Sequence, residues 1–136
     1  SLQTAYIMST IAILQIGYAL VGCLFNLFSI ARVRLGRPPL SATNPYFGIV
    51  IMAAVAAVSL SQAIFAGIPY LVGWSFLVAF IGSGPVTAHF RAIRHGQNLD
   101  SYASPTAAFL AFAINAIGVV LGCIGIALSL GKLVGL

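Results

Sequence analysis

Two histidines are the residues of this chain best suited to bind a metal or a cofactor. His89 ends an apolar run, and His95 follows six residues later, next to an arginine. Because six residues correspond to about 600° of helical rotation, the two imidazoles point to different sides of one helix. A haem held by both histidines is therefore not expected. His89 alone stays a candidate ligand for haem, a pigment or a quinone; the alternative is that both histidines simply lie at a membrane interface.

The other groups that carry chemistry are few and scattered. Asp100 is the sole side-chain carboxylate, and Cys23 and Cys123 lie inside apolar runs. The depths of the two cysteines differ by about 15 Å along their helices, too far for a disulfide, and their spacing matches no metal site. The sequence contains no nucleophile–base pair, carboxylate pair or phosphate-binding loop. It therefore predicts a protein that is not an enzyme and has no catalytic residues, no metal site and no cofactor of its own.

The composition points to a membrane. Apolar residues make up 61% of the 136 residues and charged residues 5%, and the mean hydropathy is +1.11. Soluble domains carry roughly a quarter charged residues, so these apolar side chains must face lipid. We predict an all-α integral membrane protein, one domain covering residues 1–136, with four transmembrane helices in an up-down bundle. The four apolar runs cover about residues 4–31, 46–66, 70–89 and 105–130.

The first run carries its polar and small residues on one side. Gln15, Ala19, Gly22 and Asn26 follow one another at intervals of 4, 3 and 4 residues. This spacing places them on one stripe of a helix, and amide side chains that face lipid are costly. We expect the stripe to pack against other helices through hydrogen bonds. The alternative is a polar path or a ligand site.

The fourth run has a similar stripe of mostly small residues. Its members recur at helical spacing: Ala111, Asn115, Gly118, Gly122, Gly125 and Ser129. Gly118 and Gly122 form a GxxxG pattern, which lets another helix approach closely. We predict that this stripe packs against the first helix of the same chain, with a neighbouring subunit as the alternative partner.

The third run is interrupted near its end by the sequence Gly82-Ser83-Gly84-Pro85. Because proline lacks a backbone donor and clashes with the preceding turn, we expect a kink at Pro85. The position near the end of the run favours a helix that bends as it leaves the membrane. The alternative is a hinge, or a set of opened carbonyl groups that bind an ion.

A basic turn follows the first run and reappears in altered form sixty residues later. Arginines precede Gly36 and its counterpart Gly96, and a proline, Pro45 or Pro105, starts the next helix. Arginine suits the negative end of a helix dipole, glycine the left-handed C-terminal cap and proline the first helical position. The chain is therefore predicted to consist of two tandem helical hairpins.

The arginines also set the predicted orientation. All of them lie in or beside the two loops that follow the first and third runs: Arg32, Arg34, Arg37, Arg91 and Arg94. By the positive-inside rule, both loops face the cytoplasm and both termini lie outside, in a bacterial inner (plasma) membrane or an organellar equivalent. Besides marking topology, this cytoplasmic basic face has the charge to bind anionic lipid headgroups or an acidic partner. Nucleic acid is not expected as a partner, because the basic residues sit in short loops between spans.

Three functions fit this sequence. We expect a non-catalytic accessory or structural subunit of a larger membrane protein complex, which contacts lipids and other subunits through its small-residue helix faces. The first alternative is a small homo-oligomeric channel or transporter, suggested by the polar stripe and the break at Pro85. The second alternative is a membrane anchor that helps to bind haem, a quinone or a pigment through His89 and the basic loop.

Overall fold

The computed structural model describes residues 1–63 and 67–135, and this part of the chain is helical and contains no strand. The all-α prediction is therefore confirmed. In chain order the α-helices of this part are α1 (Leu2–Arg34), α2 (Pro45–Ser61), α3 (Ile68–Ile81), α4 (Thr87–His95) and α5 (Pro105–Leu133). The first loop (residues 35–44) joins α1 to α2, and the second loop (residues 96–104) joins α4 to α5.

Three helical stretches have the length and apolar character needed to cross a membrane: Leu2–Arg34, Ile68–His95 and Pro105–Leu133. These stretches give the chain the make-up of an integral membrane protein. Helix α2 is also apolar but has 17 residues, which corresponds to a rise of about 26 Å, slightly less than the hydrocarbon core of a bilayer. The last residues of the predicted second span, 64–66, lie outside the described part of the chain.

The other three stretches extend beyond the predicted apolar runs. Helix α1 continues to Arg34, three residues past the predicted end, and α4 continues to His95, six residues past it. Hydropathy detects only the segment that faces lipid, whereas backbone hydrogen bonding continues until the chain leaves the helical conformation. In both helices this happens at a glycine with positive φ, 70° at Gly36 and 66° at Gly96.

The helices that follow the two basic loops begin in the same way. The Asn44 side chain accepts hydrogen bonds from the next two free backbone N–H groups, and the Ser104 hydroxyl accepts one from the first turn of α5. Each is followed by a proline at the first helical position, which needs no donor there. The two loops therefore share a glycine with positive φ after the preceding helix and a side-chain cap followed by proline at the next one. A duplication of the whole hairpin stays a prediction.

The long helices form a ring in which each packs against two neighbours. Helix α1 lies against α2 and α5, and α3 lies against the same two helices, while α4 extends α3 along α5. The core where they meet contains Val55, Tyr70 and Trp74, each of them 0% exposed. This ring has two ends: the basic end, which carries the first and second loops, and the far end, where α1 and α3 begin and α2 and α5 end.

A π-helical turn at Gly82–Val86 joins α3 to α4 and contains Pro85. Proline has no backbone N–H to donate, but the helix does not end here, because a π-helical turn can accommodate the missing hydrogen bond. The Thr87 hydroxyl donates to the Gly82 carbonyl at 2.8 Å. The kink itself stays a prediction. The turn widens the helix at the point where it borders the cavity described next.

Candidate ligand-binding cavity

A cavity of about 360 Å³ lies inside the ring of helices at the basic end. Its walls come from α1, α2, the α3–α4 helix, α5 and the first loop. Three aromatic rings and several aliphatic side chains make the walls mainly apolar, and the described wall residues include no charged side chain. The aromatic rings are those of Phe25, Phe47 and Phe80. The polar side chains of the wall include those of Asn26, His89 and Asn115.

His89 lies on the wall of this cavity and is 1% exposed. Its Nδ1 atom lies 2.6 Å from the hydroxyl oxygen of Tyr102, which reaches back from the second loop and is itself buried. A phenol is a better donor than an imidazole, so we assign the hydrogen bond as Tyr102 O–H donating to Nδ1. The neutral ring then carries its own proton on Nε2, for which the described residues provide no partner. His95, by contrast, is exposed.

Asn26 forms part of the wall on the α1 side. Its Nδ2 donates to the Gly22 carbonyl at 2.8 Å, and its amide packs against Gly48 of α2. A side chain at position 48 would overlap the amide, because a Cβ there would lie 2.6 Å from the Asn26 Cγ. Gly48 therefore creates the room for Asn26. The sequence interpretation did not single out Gly48; its one signal is a glycine inside an otherwise aliphatic helix.

Asn115 closes the cavity on the α5 side. Its Nδ2 donates to the Ala111 carbonyl at 2.8 Å, and its Oδ1 accepts a hydrogen bond from the Tyr18 hydroxyl at 3.3 Å. Both polar ends of the amide are thus used within the chain. This contact links α5 to α1 just beyond the cavity.

Between this cavity and the far end, one level of the core is filled by large side chains. The Tyr70 hydroxyl donates to Gln15 Oε1 at 2.9 Å, and Gln15 Nε2 donates to the Leu121 carbonyl at 3.1 Å. The Trp74 indole N–H donates to the Ser59 hydroxyl at 3.3 Å. Since Gln15, Tyr70 and Trp74 are each 0% exposed, the bundle is packed at this level. The cavity therefore ends inside the bundle.

The structure buries the predicted packing residues of α1, namely Gln15, Ala19, Gly22 and Asn26. On α5 it buries Ala111, Gly118, Gly122, Gly125 and Ser129, whereas Asn115 is half-buried. Gly118 faces the ring of Tyr18 from α1, and Gly122 faces Trp74 from α3. The small residues of α5 therefore receive aromatic side chains from two helices of the same chain, so both α1 and α3 are partners of this stripe.

The arginines of the predicted basic face are found at one end of the bundle. Arg32 Nε donates to the Pro38 carbonyl at 2.9 Å, which fixes the start of the first loop. The other arginines, Arg34, Arg37, Arg91 and Arg94, are exposed. Ala42 of the first loop and Asn98 of the second border one shallow depression, so the two loops lie side by side. Among the residues described, no group of three or more His, Cys, Asp or Glu side chains comes together as a metal site.

No protein-family model, curated protein or solved structure matches this chain.

Proposed function

We propose that this chain is a non-catalytic membrane subunit that holds a lipid-soluble molecule in the cavity at its basic end and acts as an accessory component of a larger membrane complex. The observation that carries the proposal is the cavity itself. Its volume of about 360 Å³ falls within the range of small-molecule pockets, which are mostly apolar with a few placed polar groups. The walls described above have this composition.

The rim of the cavity supports access from the bilayer. Phe47 of α2 and Phe80 of α3 are exposed, and their ring centroids lie 5.9 Å apart in an edge-to-face arrangement. Both rings also line the cavity. An apolar molecule that moves between α2 and α3 would therefore pass from lipid to cavity along aromatic surface.

Holding a ligand is favoured over conduction through the chain. A channel or transporter within one bundle needs a path from end to end, whereas Gln15, Tyr70 and Trp74 fill the core beyond the cavity. The polar stripe on α1, which suggested such a path, is engaged in hydrogen bonds within the core. The channel or transporter alternative would then require a homo-oligomer in which the path runs between subunits.

The accessory role is supported by the shape of the chain. The first and second loops are short, and most of the remaining surface is large apolar side chains suited to lipid or to another membrane helix. The exposed arginines at the basic end provide a positive surface for anionic headgroups or an acidic subunit. Membrane lipids and other membrane subunits are therefore the proposed partners.

We also propose that all four long helical segments cross the membrane, α2 included, as two tandem hairpins. In this arrangement the first and second loops face the cytoplasm and both termini lie outside, in a bacterial inner membrane or an organellar equivalent. Reporter fusions test the orientation: fusions after Gly36 and Gly96 should report the cytoplasm. A C-terminal fusion that reports the cytoplasm would contradict the proposal.

Purification in a mild detergent, followed by mass spectrometry of the intact assembly and of its extracted small molecules, tests the function. We expect other subunits and a lipid-soluble molecule to copurify with the chain. The variant Gly84→Leu adds a large side chain to a residue of the cavity wall without backbone conflict, because a Cβ at Gly84 meets no atom within 4 Å, and we expect it to reduce the amount of bound small molecule. The matched control Gly131→Leu also adds its side chain to open space, away from the cavity, and should retain it.

Two outcomes would refute the function. A chain that purifies alone, as a monomer or homo-oligomer, removes the accessory role. Equal amounts of bound small molecule in Gly84→Leu and Gly131→Leu would show that the cavity is not the binding site.

A further inference from the structure

We infer that the cavity selects a molecule with a neutral carbonyl headgroup, such as a quinone ring, and that His89 donates the hydrogen bond to that carbonyl; this inference rests on the proposed ligand-holding function. Three features of the cavity wall carry it. They are the polar groups that have no hydrogen-bond partner, the position of the proton on the neutral His89 ring, and the absence of charge among the described wall residues.

Most polar side chains of the wall are already used within the protein. Asn115 is bonded at both ends of its amide, and the hydroxyl groups of Ser41 and Thr43 lie 2.7 Å apart and bond to each other. Asn44 uses its Oδ1 to cap α2. Among the buried side chains of the wall, His89 is different, because the described residues offer its Nε2 no acceptor. Nε2 is not fully enclosed by protein, so a ligand in the cavity can reach it, and a hydrogen bond made there in a mainly apolar site stabilises the bound ligand.

Asn26 is the other buried amide of the wall. One N–H of its Nδ2 is bonded to the Gly22 carbonyl, and the amide packs against Gly48 of α2. The second N–H of this amide is also a donor, so Asn26 can assist in binding a ligand carbonyl. The Nε2 of His89 differs from it, because its single N–H has no acceptor among the described residues.

Tyr102 sets the proton of His89. Burial raises the pKa of Tyr102, which lies in the second loop outside the membrane-spanning stretches, so its hydroxyl stays protonated at neutral pH. That hydroxyl lies 2.6 Å from Nδ1 and donates to it, which leaves the imidazole proton on Nε2. A protonated Nε2 donates to a carbonyl but has no lone pair for a haem or pigment metal. The geometry thus favours a carbonyl ligand over a metal cofactor.

The charge of the wall excludes an ionic headgroup. The described wall residues include no arginine or lysine to pair with a phosphate, and burying an unpaired anion is expensive. Arg91 is exposed and borders the separate depression beyond Tyr102. A phospholipid headgroup would therefore bind at the arginines, whereas the cavity suits a neutral one.

Binding of two matched probes to the purified chain tests the inference. The probes are a decyl-substituted 1,4-benzoquinone and decylbenzene, which has the same tail and a six-membered carbon ring but no carbonyl. We expect the wild type to prefer the quinone, and His89→Phe to lose about 3- to 10-fold of quinone affinity, the usual contribution of one hydrogen bond, with decylbenzene binding unchanged. The control His95→Phe removes the exposed histidine outside the cavity and should behave as the wild type.

Two further measurements separate a donor from a merely structural histidine. The carbonyl stretching band of the bound quinone should lie at lower frequency than in lipid, and this is measured on the wild type alone. Tyr102→Phe removes the hydroxyl that fixes the His89 tautomer and should weaken the quinone preference. His89→Gln keeps a side-chain N–H donor and should therefore retain more of the quinone preference than His89→Phe does.

Each outcome has a distinct meaning. If neither probe binds the wild type, the proposed ligand-holding function itself is wrong. If both probes bind equally well, if the carbonyl band is unshifted, or if His89→Phe keeps the quinone preference, the cavity holds a ligand but His89 does not select it. A haem absorption band in the purified chain that disappears in His89→Phe would overturn the assigned proton position.

Discussion

Replacing Gly122 with alanine adds one methyl group at the point where α5 meets α3. The new Cβ would lie 2.5 Å from Val78 Cγ2 and 2.6 Å from Trp74 Cε3, well inside van der Waals contact. Trp74 has little freedom to move, because it is fully buried and its indole N–H is bonded to Ser59. The contact must therefore be relieved by a shift of α5 away from α3.

The expected cost follows from two opposing effects. Overpacking of a well-packed core costs about 1–3 kcal/mol. The gain in helix propensity from glycine to alanine offsets up to about 1 kcal/mol of this. We therefore expect Gly122→Ala to lower the free energy of unfolding by about 1–2 kcal/mol.

Denaturant titration in mixed micelles, followed by circular dichroism and by the fluorescence of Trp74, the single tryptophan, measures this change. Gly17→Ala is the matched control, since a Cβ at Gly17 on α1 meets no atom within 4 Å and should leave stability unchanged or slightly raised. If Gly122→Ala is as stable as the wild type and the emission of Trp74 is unchanged, then α5 does not pack on α3 as described.

Two other predictions concern the cavity and the second loop. Gly48→Ala would force a Cβ against the Asn26 amide, so we expect lower thermal stability and a weaker quinone preference. Gly17→Ala serves as its control, because its Cβ meets no atom within 4 Å and Gly17 is not part of the cavity wall; equal melting temperatures of the two variants would contradict this packing. Because burial raises the pKa of Tyr102 above its ordinary value of 10.0, the folded chain holds this proton more tightly than the unfolded chain does, and stability should fall as the pH rises above that value. Denaturant titrations across this pH range should show a smaller fall for Tyr102→Phe, and an identical fall would refute the assignment.

Much of the fold follows from local patterns in the sequence. The apolar runs locate the long helices, and the intervals of 3 and 4 residues on α1 pick out Gln15 and Asn26, which lie on its buried side. Helix starts at Asn44 and Ser104 are equally local, because a cap depends on a few consecutive residues. The end of α2 is harder to predict from the sequence, because apolar residues continue past Ser61, where the described helix ends.

The cavity could not be predicted in this way, because it depends on contacts between distant residues. His89 and Tyr102 meet only after the second loop folds back over α4, and the sequence shows no pattern that joins them. Gly48 matters because of Asn26, which lies on another helix. Likewise, a small-residue stripe indicates close packing but does not identify its partner, and here the residues that fill it are aromatic rings such as Tyr18.

The difference in length between α1 and α2 bears on how the bilayer meets this protein. Helix α1 has 33 residues and α2 has 17, so the first loop must return along α1, and the Leu40 N–H indeed donates to the Ser29 hydroxyl within that helix at 3.0 Å. If α2 crosses the membrane as proposed, lipids beside the described helix face a shorter hydrophobic edge than those beside its neighbours, and such mismatch is relieved by local thinning of the bilayer. In the proposed arrangement, the mouth of the cavity at Phe47 would lie close to the ester carbonyls of one leaflet. A molecule that leaves the cavity would then move sideways into the bilayer and would not enter water.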